Sequence, residues 1–235
     1  MSDKNIIREN VMATIQAALD ENIINESDLR NMSINYKEGK EYEPEYIRAE
    51  MEQWYRNLGI EALIGRSFTL SLPYWTKTEI QEAAKNDEII VCVPKGINRT
   101  ILGKLFHFES WALEDSLITD TTEIEDFWFK TKISYEPERS DCTGRELTKV
   151  YIREEKLGMS LERYMVFSFR MYYLHHRFPD LKTKTWLLHG RYEKKAILIA
   201  GFDLEKKFSV HAWLSHFHSP KVGGRYVKIP DHLYV

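Results

Sequence analysis

The segment from residue 160 to 180, SLERYMVFSFRMYYLHHRFPD, leaves this chain few ways to fold. Ser160 offers a capping oxygen in front of LERYMVF, and Pro179 forbids the helix to continue. Between them, apolar side chains lie on almost every face. A helix without a polar side has to be covered all round, so the rest of the domain must wrap it. The material for wrapping comes directly after it. TWLLHG, KAILIAGF, KFSVHAWL and RYVKI are strand-like runs joined by short connections, which suit antiparallel neighbours. The expected class is α+β: a helical N-terminal part, then a mixed or antiparallel sheet packed on one long buried helix.

The earlier elements emerge from spacing and punctuation. Ile7, Val11, Ile15, Ala18 and Leu19 fall at helical intervals. NESDLRNM adds a short helical turn, and YKEGKEYE is a polar connector. EPEYIRAEMEQWYRNLG reads as a second helix, with Pro44 in its first turn and Gly59 as its stop. This divides the chain into a helical region, 1–60, and an α+β domain, 61–235, unless the two are continuous. SFTLSLP alternates like a strand and ends at Pro73. Thr76 and Glu79 stand at capping-box spacing before a short helix. EIIVCVP suits a buried strand, RTILGKLFHF a helix and FWFKTKISY a strand, and EPERSDCTGRE reads as a polar loop.

Several function classes drop out. No window approaches the roughly 20 apolar residues of a membrane span. The start, MSDKNIIREN, lacks the apolar core of a signal peptide. Two cysteines, Cys92 and Cys142, are too few for a disulfide framework. The economical reading is a soluble cytoplasmic protein with no membrane partner; its oligomeric state stays open. There is no phosphate-binding glycine loop, no H-E-x-x-H, no CxxC and no calcium-loop spacing, so neither cofactor nor metal is expected. The histidines of SVHAWLSHFHS are the nearest thing to a ligand set. By period two, His211 lies alongside Ser209 and Trp213, and His216 shares a face with His218. His216 and His218, closed by His232 or Asp231, would supply three zinc ligands. The preferred reading keeps them as sheet and loop residues without a metal.

Charge is unevenly placed. From Arg145 to Val235 there are 17 lysines and arginines against 9 acids; the preceding residues carry 16 against 27. A basic part of this kind suits an anionic ligand, a nucleic acid or an acidic partner, although it also suits an acidic part of the same fold. Arg163, Arg170 and Arg177 repeat every seven residues and so lie on one line of the long helix. That line is either its only solvated seam or a clamp for an anion. GRYEK at 190–194 and GRYVK at 224–228 are near copies, each expected to place a glycine at the end of a turn and a strand from the tyrosine. The candidate ligand-binding residues are Arg163, Arg170, Arg191, Arg225 and Trp213.

Two resemblances bear on function. MSLERYMVFSF with HHRFPDL, TWLLHGRYEKKAILIAGF and HSPKVGGRYVKI, with EIIVCVP before them, together resemble a bacterial family of unknown function over about residues 88–229. It implies no activity. SLER opening a helix, with HAW some fifty residues later, resembles the transglutaminase-like peptidases that process lasso-peptide precursors. That resemblance implies a nucleophile at Ser160 and a base at His211. The family places a cysteine where this chain has Ser160, its acid has no clear counterpart beyond Asp231, and Cys142 lies outside the motif. Ser160 is therefore read as a helix cap. The function adopted is a non-catalytic binding protein with a basic C-terminal part; the alternative is a degenerate transglutaminase-like hydrolase.

Overall fold

A computed structural model describes residues 39–119 and 122–230, with Gln16, Leu19, Asp20, Asn25 and Leu233. The amphipathic segment expected from Ile7 to Leu19 and the turn in NESDLRNM fall largely outside the described residues. The remainder is α+β, as its alternation of long apolar helix and short-linked strands requires. Among the described residues, no helix is long and apolar enough to cross a membrane.

Six helices are described: α1 (Pro44–Asn57), α2 (Ile60–Ile64), α3 (Lys77–Lys85), α4 (Arg99–Phe106), α5 (Gly144–Arg153) and α6 (Leu161–His175). Their ends obey local chemistry. α1 has proline in its first turn and ends before Gly59, whose φ of 85° needs no Cβ. Thr76 and Glu79 form the expected capping box at α3. Ser160 caps α6 by accepting from the Arg163 N–H at 3.1 Å. His176, in the left-handed conformation, ends α6 three residues before the proline. Ser160→Ala should cost about 0.5–2 kcal/mol, read as a shift in the urea midpoint; an unchanged midpoint would contradict the cap.

The main sheet runs β2 (Ile118–Thr119), β5 (Lys184–Tyr192), β6 (Ala196–Phe202), β7 (Phe208–Leu214), all antiparallel neighbours. β8 (Val222–Gly224) joins the start of β5 in parallel, so the sheet is mixed. Two antiparallel pairs flank it: β1 (Glu88–Val93) with β3 (Phe127–Lys132), and β4 (Leu157–Gly158) with β9 (Tyr226–Val227). A single bridge, Lys130 to Lys228, links the two pairs.

Both faces of the main sheet are used. Leu187, Leu198, Ala200, Phe208 and Val210 enter the large core around α6, with Tyr164, Phe167 and Met171. Met51, Trp54 and Tyr55 of α1 belong to that same core, so this part of the first 60 residues is built into the α+β body. On the other face, Trp186, Leu188, Ile197 and Ile199 pack with Leu147 and Tyr151 of α5 in a smaller core.

Three expectations are corrected. SFTLSLP forms no strand. Its alternation is real, since Phe68 and Leu70 are buried, but its backbone pairs with side chains. Glu61 accepts from the Phe68 N–H, Glu52 from Leu70 and Asp126 from Ser71. The loop expected over EPERSDCTGRE gives way to α5 at Gly144, announced by a second capping box, Thr143 with Glu146. The two GRY strings are not equivalent. Gly190 lies inside β5 at a bulge and Tyr192 ends that strand, whereas Tyr226 begins β9 as expected.

Candidate functional site

The arginine stripe is not a solvated seam. Ten of the 15 residues of α6 are buried, Arg163 and Arg170 among them, whereas Arg177 lies beyond the helix end and is exposed. Arg163 is 4% exposed, bonded through Nε to Glu123 at 2.9 Å and stacked on Phe127. Arg170 is 3% exposed, joined to Glu50 and set beside Trp54. Arg177 lies over Tyr135. A buried guanidinium has to be paired, and the acidic first part of the chain supplies these carboxylates. Arg225 is also internal, held by Asp180 through Nε at 3.1 Å and Nη2 at 2.7 Å. Arg191 is half-buried at the far end of β5 and turns back on the carbonyls of Leu188 and Gly190. The structure therefore gathers none of the four into a common surface.

Trp213 and His211 do fall in one place. Along β7, Phe208, Val210 and Ala212 face the large core, so Ser209, His211 and Trp213 face the other way. α5 covers one end of that face and leaves the rest to solvent. Register places Ser209 opposite Gly201 of β6, and Lys184 starts β5 on the same side. Lys184 Nζ lies 2.5 Å from Ser209 Oγ. His211 Nε2 lies 3.2 Å from the same oxygen. Burial pulls the Lys184 pKa below the usual lysine range, against the opposing attraction of Asp180 and Asp203. Partial burial, and then the Lys184 charge, lower that of His211.

Lys184 and Trp213 also line a groove of about 690 Å³, together with Leu181, Lys182, Leu204 and Lys221. Its walls are largely apolar. Three ammonium groups meet one carboxylate, Asp203, whose Oδ1 already accepts from the N–H groups of Glu205 and Lys207. None of Lys182, Lys184 and Lys221 forms an ion pair with the described residues. A second cleft, about 790 Å³, carries Lys130, Lys156 and Lys228 beside Trp75. There Glu88 holds Lys228 at 2.7 Å and Glu154 holds Lys156 at 3.0 Å, which offsets the charge. The first groove thus keeps more uncompensated positive charge than the second.

The pairing implied by the transglutaminase-like resemblance is not assembled. Ser160 is fully buried on the α6 side of the sheet, between core residues Met159 and Leu161. His211 stands on the opposite face. Burial raises the thiol pKa of both Cys92 and Cys142, so neither is an activated nucleophile. His218 pairs with Asp141 at 3.0 Å, and His216 packs on Phe217. Among the described residues no three histidines, cysteines or acids are grouped to hold a metal. Asp231 and His232 lie outside the described residues. Lys184 was not legible as a site residue, because nothing local announces that Gly201 opens a path across the sheet.

No protein-family model, curated protein or solved structure matches the chain.

Proposed function

We propose that the chain is a binding protein whose C-terminal half holds an anionic ligand in the groove beside β5 and β7. The observation that carries this reading is the meeting of three lysines, none in an ion pair with the described residues, with an apolar wall that includes Trp213. An ammonium cluster draws a phosphate or carboxylate, and the indole offers a surface to an apolar or planar body. The ligand expected is therefore amphiphilic: a nucleotide, a stretch of single-stranded nucleic acid or a comparable anion. The basic balance of the last 91 residues supports capture at the groove, since Arg163, Arg170 and Arg225 are spent inside the fold while the lysines remain outside.

The test is fluorescence anisotropy with labelled single-stranded RNA and DNA at several salt concentrations. Three phosphate contacts predict a slope of about −2 for log affinity against log salt. Replacing Lys182 and Lys221 together by glutamine should flatten that slope by about 1.4. Trp213→Ala should weaken binding about tenfold or more at fixed salt, because stacking contributes about 1–3 kcal/mol per base. Absence of binding at low salt, with no quenching of tryptophan fluorescence by mononucleotides, would refute this reading.

A further inference from the structure

Ser209 is contacted in a way that an ordinary surface serine is not. Gly201 has no side chain, and the middle strand is therefore open between Lys184 and Ser209. A Cβ at Gly201 would come within 2.7 Å of the Thr183 carbonyl and 3.2 Å of Lys184 Cγ. Across this gap the ammonium reaches Oγ, and the imidazole two residues along β7 reaches the same oxygen. One direction of proton donation along the three groups would activate Ser209. A protonated lysine only donates, so it occupies a lone pair of Oγ. With His211 neutral and protonated on Nδ1, the hydroxyl proton is directed to Nε2. Partial burial and the Lys184 charge both disfavour the imidazolium form of His211. The same charge favours an alkoxide on Oγ.

We propose that Ser209 is a nucleophile, with His211 as its general base and Lys184 as the cation that stabilises the forming alkoxide, and that it accepts the acyl group of a carboxylic ester. The acyl chain would lie on the apolar groove wall of Leu181, Leu204 and Trp213. In the first step Oγ bonds to the ester carbon and its proton passes to His211 Nε2. The tetrahedral adduct then expels the alkoxide, which takes that proton and leaves as an alcohol. In the second step water attacks the acyl-serine, giving its proton to His211. The carboxylic acid departs and Oγ recovers the proton. No electrons are transferred, and water is the only co-reactant.

Labelling with a fluorophosphonate–rhodamine probe, then peptide mass spectrometry, tests the assignment on the full chain. The wild type should carry the label on Ser209 and hydrolyse 4-nitrophenyl butyrate. Ser209→Ala should abolish both. His211→Gln should slow labelling at least 100-fold. The labelling rate should rise with pH as His211 loses its proton, with a midpoint below that of a free imidazole. Lys184→Met should slow labelling and move that midpoint upward, since it removes a charge that holds the imidazole neutral. A merely structural lysine would leave the midpoint in place. These side chains face solvent or a half-open groove, and thermal melts of the variants should match the parent. A folded wild type that takes no label, a label that persists in Ser209→Ala, or a midpoint unmoved by Lys184→Met would overturn the proposal. The binding reading is scored separately by anisotropy, so either can fail without the other.

Discussion

Asp180→Ala is expected to remove about 3–5 kcal/mol of stability. Asp180 is fully buried and its carboxylate gathers donors from four residues in three parts of the chain. Arg225 binds it through two nitrogens, Tyr164 at 2.8 Å, Thr185 at 2.7 Å and Thr183 at 3.2 Å. Its backbone also links β6, through Phe202 N–H, to the segment before α5, through Tyr135 C=O. Truncation would strand the Arg225 guanidinium, which is 2% exposed, with only Ser134 as a remaining side-chain acceptor. A buried cation without its partner costs more than the pair contributed. The double variant Asp180→Leu with Arg225→Met should therefore recover most of the loss. Urea unfolding checks both, as a lower midpoint with an unchanged slope. A single-variant loss under about 1 kcal/mol would mean that water reaches the pair.

Trp54→Ala is expected to cost a similar amount, about 3–5 kcal/mol. Trp54 is 2% exposed and its ring meets Tyr55, Phe106, Phe169 and Tyr173 at centroid separations of 4.7 to 6.3 Å. These neighbours come from α1, α4 and α6. The indole N–H has no hydrogen-bond partner among the described residues, so Trp54→Phe should lose much less. The measurement also reports on organisation. Because α1 shares the core of α6, both tryptophan fluorescence and far-ultraviolet circular dichroism should move together in one transition. A separate early phase confined to fluorescence would show α1 unfolding alone.

Local chemistry was readable in the sequence wherever partners are a few residues apart. The N-cap of Ser160, the box of Thr76 and Glu79, and the pairing of Pro44 with Gly59 were legible because each is closed within one or two turns or marks a helix end directly. The box of Thr143 and Glu146 was equally legible, and the polar character of the loop before it hid α5. Alternation in SFTLSLP reported burial correctly and the ladder wrongly. A period of two states which residues face inward; it does not state whether a strand or a set of carboxylates supplies the hydrogen bonds.

The candidate site lay beyond that reach. Spacing by seven put Arg163, Arg170 and Arg177 on one line, but only the first two lie within α6, and both are buried. Whether that line met solvent depended on Glu123 and Glu50, which lie 40 and 120 residues earlier in the chain. Likewise Ser209 and His211 were visible as neighbours on one strand face, whereas Lys184 reaches them from 25 residues away, across a glycine on a strand between. The sequence by itself determined the α+β class, the buried long helix and the excess of positive charge after Arg145. Only the tertiary structure decided which cations are spent inside and which stay available. Charge pairing and burial are settled by distance in space, and no periodicity of the chain encodes which distant carboxylate a guanidinium will meet.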